Sequence, residues 1–124
     1  MRLKFRAWDK NRKVMRTVNV ISFVENVAGL IDGYTNSLDN LIIMQSTGLK
    51  DVNGVEIYES HIVKERWSNQ YGEHERTQVV KWNEKTLGWN IFNPIATSTS
   101  MNYEIIGNIY ENPALLKGDE HETI

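Results

Sequence analysis

The pair Asn53-Gly54 is the feature that most constrains the fold of this chain. Both residue types tolerate a positive φ, and the tight hairpin turns whose twist suits the flanking strands demand it. The apolar run 41–44 precedes the pair, and β-compatible residues follow it: Val55, Ile57, Tyr58, Ile62 and Val63. The pattern therefore predicts the central hairpin of a small β-rich domain.

Alternating residues near the N-terminus predict another hairpin. Leu3, Phe5 and Ala7 fall on one face of a strand, and the other face carries Arg2, Lys4, Arg6 and Trp8. A polar turn at 9–12 separates this strand from a partner that begins near residue 14, so we predict a first hairpin over 3–15.

The C-terminal half alternates again. We predict a polar surface loop at 68–76 and a third hairpin over 77–92, which Pro94 ends because proline cannot donate to a sheet ladder. A last strand at 103–109 contains Gly107, which we place at a bulge. Asn112-Pro113 has the form of a helix N-cap followed by the first helical residue, and predicts about one turn of helix.

Residues 18–31 fit two patterns. Their β-branched and aromatic side chains favour a strand over 18–24. The spacing of Ile21, Val24, Val27, Ala28 and Ile31 also approximates a helical stripe, so 25–31 stays open between strand and helix.

A length of 124 residues is that of one domain. We predict a mainly β fold, a small and strongly bent antiparallel sheet or barrel built from hairpins with one or two short helices. The alternative is α+β, if 18–31 is helical. We expect a single domain over 1–116 and a polar, disordered tail at 117–124. The predicted core comprises Leu3, Phe5, Ile43, Ile57, Ile62, Val80, Trp89, Ile91, Ile105 and Ile109.

Composition excludes several kinds of chemistry. The chain has no cysteine, which rules out disulfides, thiolate zinc sites and cysteine nucleophiles. No apolar run approaches the roughly 20 residues that cross a bilayer, and no apolar signal-peptide segment opens the chain. We expect a soluble protein of the cytoplasm with no membrane contact.

Three blocks of sequence resemble the YopX-like proteins of phages and prophages. They are residues 1–9 (MRLKFRAWD), 44–59 (MQSTGLKDVNGVEIYE) and 104–113 (EIIGNIYENP). The chain departs from the family pattern at Ser46, where the family usually has an aromatic residue, and at Ser60-His61, where it usually has Gly-Asp. The resemblance implies a small phage-encoded protein that works in the bacterial host cell, in a family of which at least some members form homo-oligomers. It implies no catalytic residues.

The titratable residues assemble no recognisable site. The only histidines are His61, His74 and His121, and no two of them have metal-site spacing. Ser60 and His61 would point to opposite faces of a strand, and Asp51-Val52-Asn53-Gly54 lacks the later ligands of a calcium loop. No phosphate-binding glycine motif occurs. We therefore predict no catalytic residue, no metal and no cofactor.

The basic face of the first strand is the candidate binding site. Arg2, Lys4 and Arg6 would lie about 7 Å apart along the sheet, with Trp8 continuing the row. Regularly spaced cations beside an aromatic ring suit a phosphate backbone and a stacked base. The structural alternative is that these cations pair with acids of a neighbouring strand or subunit, which the net charge of −2 favours.

Three hypotheses for function follow. The leading one is a non-catalytic phage or prophage accessory protein that acts by binding, to copies of itself and to a host or phage protein. The second is nucleic-acid binding through the basic strand. The third is a small enzyme of unknown reaction.

Overall fold

The computed structural model of the chain describes residues 4–91 and 101–116. It divides into two compact units, Met1–Ser46 and Thr47–Ile124. Antiparallel strands dominate the described residues, and no sheet among them closes into a barrel, so the mainly β prediction is confirmed. The single domain over 1–116 stays a prediction, and the tail at 117–124 lies outside the described residues.

The first unit contains a sheet of consecutive antiparallel strands. They are β1 (Phe5–Asp9), β2 (Val14–Ser22), β3 (Val27–Leu30), β4 (Thr35–Ser37) and the first part of β5 (Leu41–Lys50), with a short 3-10 helix at Leu38–Asn40. Their order across the sheet is β4-β3-β2-β1-β5. The β1–β2 pairing confirms the first predicted hairpin.

Residues 18–31 form strands, and the helical alternative is wrong. The β-branched residues continue β2 to Ser22, and a turn at 23–26 leads into β3. Asn26 has a φ of 59°, a left-handed conformation that asparagine adopts more readily than most residues. The apparent helical stripe crosses the end of β2, the turn and β3, and its members share no face, since Ala28 is buried while Val24 and Ile31 are exposed.

The core of the first unit is small. Ala7, Ala28 and Leu41 are buried. Four half-buried side chains pack against them: Val18, Ile21, Leu38 and Ile43. This core covers the middle of the sheet and leaves the β2–β3 turn outside it.

The second unit contains the remaining strands. They are the end of β5, then β6 (Glu56–Tyr58), β7 (His61–Asn69), β8 (Gly72–Val79), β9 (Trp82–Asn83), β10 (Gly88–Trp89) and β11 (Asn102–Asn108). Strands β11, β7 and β8 form a three-stranded sheet in that order, and β9 and β10 form a two-stranded one.

The central turn lies where the sequence predicts it, but its type differs. Only Gly54 of the Asn53-Gly54 pair has a positive φ, at 79°. The Gly54 N–H donates to the Asp51 carbonyl oxygen at 3.0 Å, and the Asp51 N–H donates to the Val55 carbonyl oxygen at 2.8 Å. The connection is therefore a three-residue loop over 52–54, in which glycine follows the turn.

The predicted loop at 68–76 is wrong. Residues 61–69 and 72–79 are β7 and β8, which pair in continuous register from Ile62↔Val79 to Asn69↔Gly72. The polar composition favoured a loop, but these strands are stabilised by cross-strand ion pairs and ring contacts in place of apolar contacts. Within the hairpin predicted over 77–92, only the short strands β9 and β10 pair with each other, because residues 77–79 belong to β8. Pro94 lies outside the described residues.

The last strand contains the predicted bulge, since its register with β7 shifts between Ile105 and Gly107. A Cβ atom on Gly107 would lie 2.5 Å from Asn112 Oδ1. That oxygen accepts the Asn108 N–H at 3.2 Å. The Asn112 side chain therefore turns back to β11 and does not cap the helical residues 114–116, which corrects the predicted N-cap.

The larger core belongs to the second unit. Its buried members are Ile57, Val63, Val80, Ile91 and Tyr103, and Leu49, Trp89, Met101 and Ile105 pack against them. Of the predicted core, four residues are buried, namely Ile57, Ile62, Val80 and Ile91. The half-buried ones are Phe5, Ile43, Trp89, Ile105 and Ile109, and Leu3 lies outside the described residues.

Candidate functional site

The predicted basic row is placed only in part. Arg2 lies outside the described residues. Lys4 is exposed just before β1, and its carbonyl oxygen accepts the Ser46 N–H at 2.9 Å. Arg6 and Trp8 follow on the same face of β1, because alternate residues of a strand share a face.

Two members of this row are enclosed. Trp8 is only 8 % exposed, so its ring is not offered to a base. Arg6 is half-buried between Thr17 of β2 and Met44 of β5, its cross-strand neighbours. The nucleic-acid hypothesis therefore loses its stacking residue, and with Lys4 and Arg6 alone it stays a prediction.

An exposed apolar surface lies on the first unit, and the sequence pattern did not predict it. We call the exposed side chains of residues 17–31 the apolar arm, which excludes the core residues Val18, Ile21, Ala28 and Leu30. Phe23 is 82 % exposed and Val24 is 97 % exposed, both in the β2–β3 turn, and Val20 on β2 is 62 % exposed. The arm has one charged residue, Glu25. Monomeric proteins seldom leave such side chains in water together.

The second unit carries a buried charge on the β7–β8 hairpin. Glu65 is 1 % exposed. Its Oε1 accepts from Arg76 Nε at 2.5 Å, and its Oε2 accepts from Gln78 Nε2 at 3.1 Å. Both donors come from β8, and these charge-assisted contacts offset the desolvation of the carboxylate.

The same face of the hairpin carries a ring stack. The Trp67 and His74 rings are stacked, with centroids 5.4 Å apart and an interplanar angle of 21°. The Arg76 guanidinium carbon lies 5.8 Å from the Trp67 ring centroid, so one arginine serves both the buried glutamate and the tryptophan. His74 Nε2 lies 3.0 Å from Asn69 Oδ1.

The opposite face of the hairpin has exposed ion pairs. Arg66 bonds Glu75 at 3.2 Å and Glu104 at 3.0 Å, and Lys64 reaches Glu75 at 3.6 Å. The hydrogen bond that Arg66 donates to Glu104 raises the pKa of Arg66. Partly exposed pairs of this kind contribute little to stability.

A groove of about 530 Å³ opens beside these residues, and its described lining is Arg66, Trp67, Ser68, Glu73, His74, Glu75 and Asn102. As the sequence indicates for a strand, Glu73 and Glu75 share a face opposite His74. Within residues 4–91 and 101–116, no three His, Asp or Glu side chains group closely enough to hold a metal ion.

Ser60 and His61 form no nucleophile and base. Ser60 precedes β7 with a φ of 72°, and the His61 Nδ1 accepts the Tyr58 N–H at 2.9 Å. The Nδ1 atom of His61 is therefore engaged by the backbone and cannot also accept a proton from Ser60. The structure adds no support for the small-enzyme hypothesis, which stays a prediction.

The described residues define a small antiparallel β protein in which the notable features are surfaces: the apolar arm in one unit and the polar β7–β8 hairpin in the other. No helix among these residues is long and apolar enough to span a membrane.

Comparison with known proteins identifies the family of this small β protein. The family model described as YopX protein matches residues 4–117, and the chain belongs to that family. The structure is similar to the crystal structure of protein EF1440 from Enterococcus faecalis. That protein is 27 % identical, the TM-score is 0.66, and the match covers 94 % of this chain and 99 % of the other. No curated protein matches the sequence.

Proposed function

We propose that this chain is a phage or prophage accessory protein of the bacterial cytoplasm that acts by binding, without catalysis, and associates with copies of itself. Membership of the YopX family supports the accessory role, because the resemblance of the three sequence blocks implies a phage-encoded protein. The contact surface that we assign is the apolar arm.

The exposure of Phe23 and Val24 is the observation that carries the proposal. Fully burying a side chain of this kind is worth about 1.5–3 kcal/mol relative to leaving it in water. Both lie at the tip of a hairpin that extends from the β2–β3 pairing. A partner that covered the tip would gain that free energy without any rearrangement of the small core.

The charge pattern of the arm suits a second copy. Subunit interfaces are depleted in charge at their centre, and residues 17–31 contain only Glu25 as a charged residue. A two-fold interface brings the same patch of both subunits together, so a patch rich in one charge would repel itself. A patch with a single charged residue, Glu25, repels itself far less.

Light scattering of the full chain over a range of concentrations tests the proposal. We expect an oligomer for the wild type and a shift to monomer for the double variant Phe23→Ser, Val24→Ser. The matched control is Tyr71→Ser with Leu87→Ser, which removes two side chains that are 81 % and 75 % exposed in turns of the second unit. The control is expected to keep the wild-type mass.

Two results would contradict the proposal. One is a wild type that stays monomeric at every concentration. The other is an oligomer that survives in the Phe23→Ser, Val24→Ser variant but dissociates in the control, which would move the interface to the second unit.

A further inference from the structure

A buried histidine closes the turn between β6 and β7, which we call the His61 turn (residues 58–61). His61 is 7 % exposed, and its Nδ1 accepts the Tyr58 N–H at 2.9 Å. A ring nitrogen that accepts a hydrogen bond carries no proton, so the neutral ring holds its proton on Nε2. The imidazolium form has two N–H donors and no acceptor, and it cannot take this bond.

The same turn holds the ends of two other strands. The Ser60 N–H donates to the Val80 carbonyl oxygen at 2.9 Å, and the Val80 N–H donates to the His61 carbonyl oxygen at 2.9 Å. The Ile109 N–H donates to the Ser60 carbonyl oxygen at 3.1 Å. Val80 follows β8 and Ile109 follows β11, so loosening the turn also loosens the ends of both strands.

Ser60 stores strain inside the turn. Its φ of 72° lies in the left-handed region, which a residue other than glycine adopts only when its surroundings require it. The bond between Tyr58 and His61 spans Ser60 and helps to hold it there. Once this bond breaks, the strain favours relaxation of the turn.

The groups that face the ring decide the direction of its response to acid. The Tyr58 ring meets it edge-on at a centroid distance of 6.2 Å. Its cross-strand neighbour on β11 is Asn108, which is uncharged, and the residue bonded to its backbone beyond β8 is Val80.

Two acids among the described residues bear on His61: Asp51, which interacts with the ring and favours its protonated form, and Glu59, which lies in the same turn. The attraction to His61 is the smallest of the causes that lower the pKa of Asp51, after the hydrogen bonds from three backbone N–H groups. Protonation would remove the acceptor of a buried hydrogen bond and place a charge inside the protein, and both effects oppose it.

We infer that the His61 turn is a pH-sensitive device: protonation of His61 releases the Tyr58 N–H and loosens the turn together with the ends of β8 and β11. An exposed histidine gains its proton between about pH 7 and pH 5. Because the unfolded chain accepts this proton and the closed turn excludes it, the folded state loses stability over that range as the pH falls.

Urea unfolding at about pH 7 and about pH 5 tests the inference in the full chain. The loss of one buried hydrogen bond corresponds to about a tenfold rise in the unfolding equilibrium constant of the wild type. His61→Asn keeps an oxygen acceptor at the δ position and has no titratable ring. The unfolding equilibrium constant of this variant should therefore not show the tenfold rise at the lower pH. His61→Gln moves the acceptor one bond further away. This variant should be less stable than the wild type at both pH values, and its unfolding equilibrium constant should not rise tenfold between them.

His74→Asn is the matched control, since it removes a histidine of the β7–β8 hairpin that is bonded to a side chain and not to a turn N–H. It should keep the wild-type pH dependence. Asp51 does not contribute between these pH values, because its pKa is lowered below the ordinary aspartate value.

Amide hydrogen exchange supplies a second readout that needs no variant. After correction for the intrinsic rates, core amides such as Val63 should follow the global unfolding constant, and the Tyr58, Ser60 and Ile109 amides should lose at least the same tenfold protection at the lower pH because the turn also opens locally. The inference is overturned if Tyr58 protection is constant between the two pH values, if His61→Asn keeps the wild-type slope, or if His74→Asn removes it.

Discussion

The Asp51 carboxylate binds the backbone of Ile105, a residue 54 positions away: its Oδ2 accepts the Ile105 N–H at 3.0 Å. Its Oδ1 accepts the N–H groups of Asn53 and Val55 at 2.9 and 3.0 Å. One side chain therefore closes the central turn and attaches β11 to it. Asp9 does the same in the first unit, with Oδ1 on Asn11 and Arg12 and Oδ2 on the Asn36 amide.

Replacing Asp51 by Asn should destabilise the protein by about 1–3 kcal/mol, because an amide has one acceptor oxygen and its NH₂ group would face a backbone N–H. Urea unfolding at neutral pH measures the loss. Asp39→Asn is the control, since Asp39 is exposed in the 3-10 helix and should change stability by less than about 0.5 kcal/mol. An equal loss in both variants would contradict the role of Asp51.

Acid should destabilise the wild type because it protonates the carboxylates of Asp9 and Asp51. Burial alone would raise the pKa of Asp51, but the N–H groups of Ile105, Val55 and Asn53 outweigh it and lower that pKa. The Arg12 N–H lowers the pKa of Asp9.

A lowered pKa in the folded state means that the stabilisation is complete above the unfolded value, about 3.9, and is lost as the pH falls through the folded value. A stability curve between about pH 5 and pH 2 should be steeper for the wild type than for Asp51→Asn. Parallel curves would show that Asp51 is not responsible.

Ser60→Gly should stabilise the chain by about 1 kcal/mol, because glycine adopts a φ of 72° without the strain of a side chain. Glycine is also the residue that YopX-like proteins usually have at this place. Thermal unfolding measures the gain. Ser60→Ala keeps the strain and loses the hydroxyl, so it should not stabilise; a gain in both variants would refute the conformational explanation.

Gly107→Ala should destabilise the second unit by about 1–3 kcal/mol, because its Cβ would lie 2.5 Å from Asn112 Oδ1 and expel that side chain from the Asn108 N–H. A double-mutant cycle measures the cause. In an Asn112→Ala background the same substitution should cost less, and an unchanged cost would mean that Asn112 is not the obstacle.

Arg76→Met should cost more than Lys64→Met. Removing Arg76 leaves the Glu65 carboxylate buried with one amide donor, a loss of about 3 kcal/mol. Lys64 pairs with Glu75 at the surface, and its loss should cost about 0–1 kcal/mol. Urea unfolding of both variants at neutral pH compares them, and equal costs would contradict the burial of Glu65 as the cause.

The Asn53-Gly54 turn shows how far local pattern reaches. Its position, the pairing of β1 with β2 and the bulge at Gly107 follow from residues near one another in sequence, and all are confirmed. The turn type also depends on Asp51, whose side chain makes two bonds within the loop and one to β11, and the bond to β11 does not follow from local pattern. The 68–76 segment fails for the same reason, since its strand is stabilised by partners across the hairpin.

The candidate surfaces were also predictable from the sequence only in part. Alternation correctly places Lys4, Arg6 and Trp8 on one face of a strand, because a strand has a period of two whatever surrounds it. Whether that face meets water depends on the rest of the sheet, and Trp8 proves to be enclosed while Phe23 and Val24 are exposed. The amino-acid sequence by itself determines the antiparallel hairpins and the absence of cysteine chemistry. Only the tertiary structure decides which side chains are buried, because burial depends on neighbours that are distant along the chain.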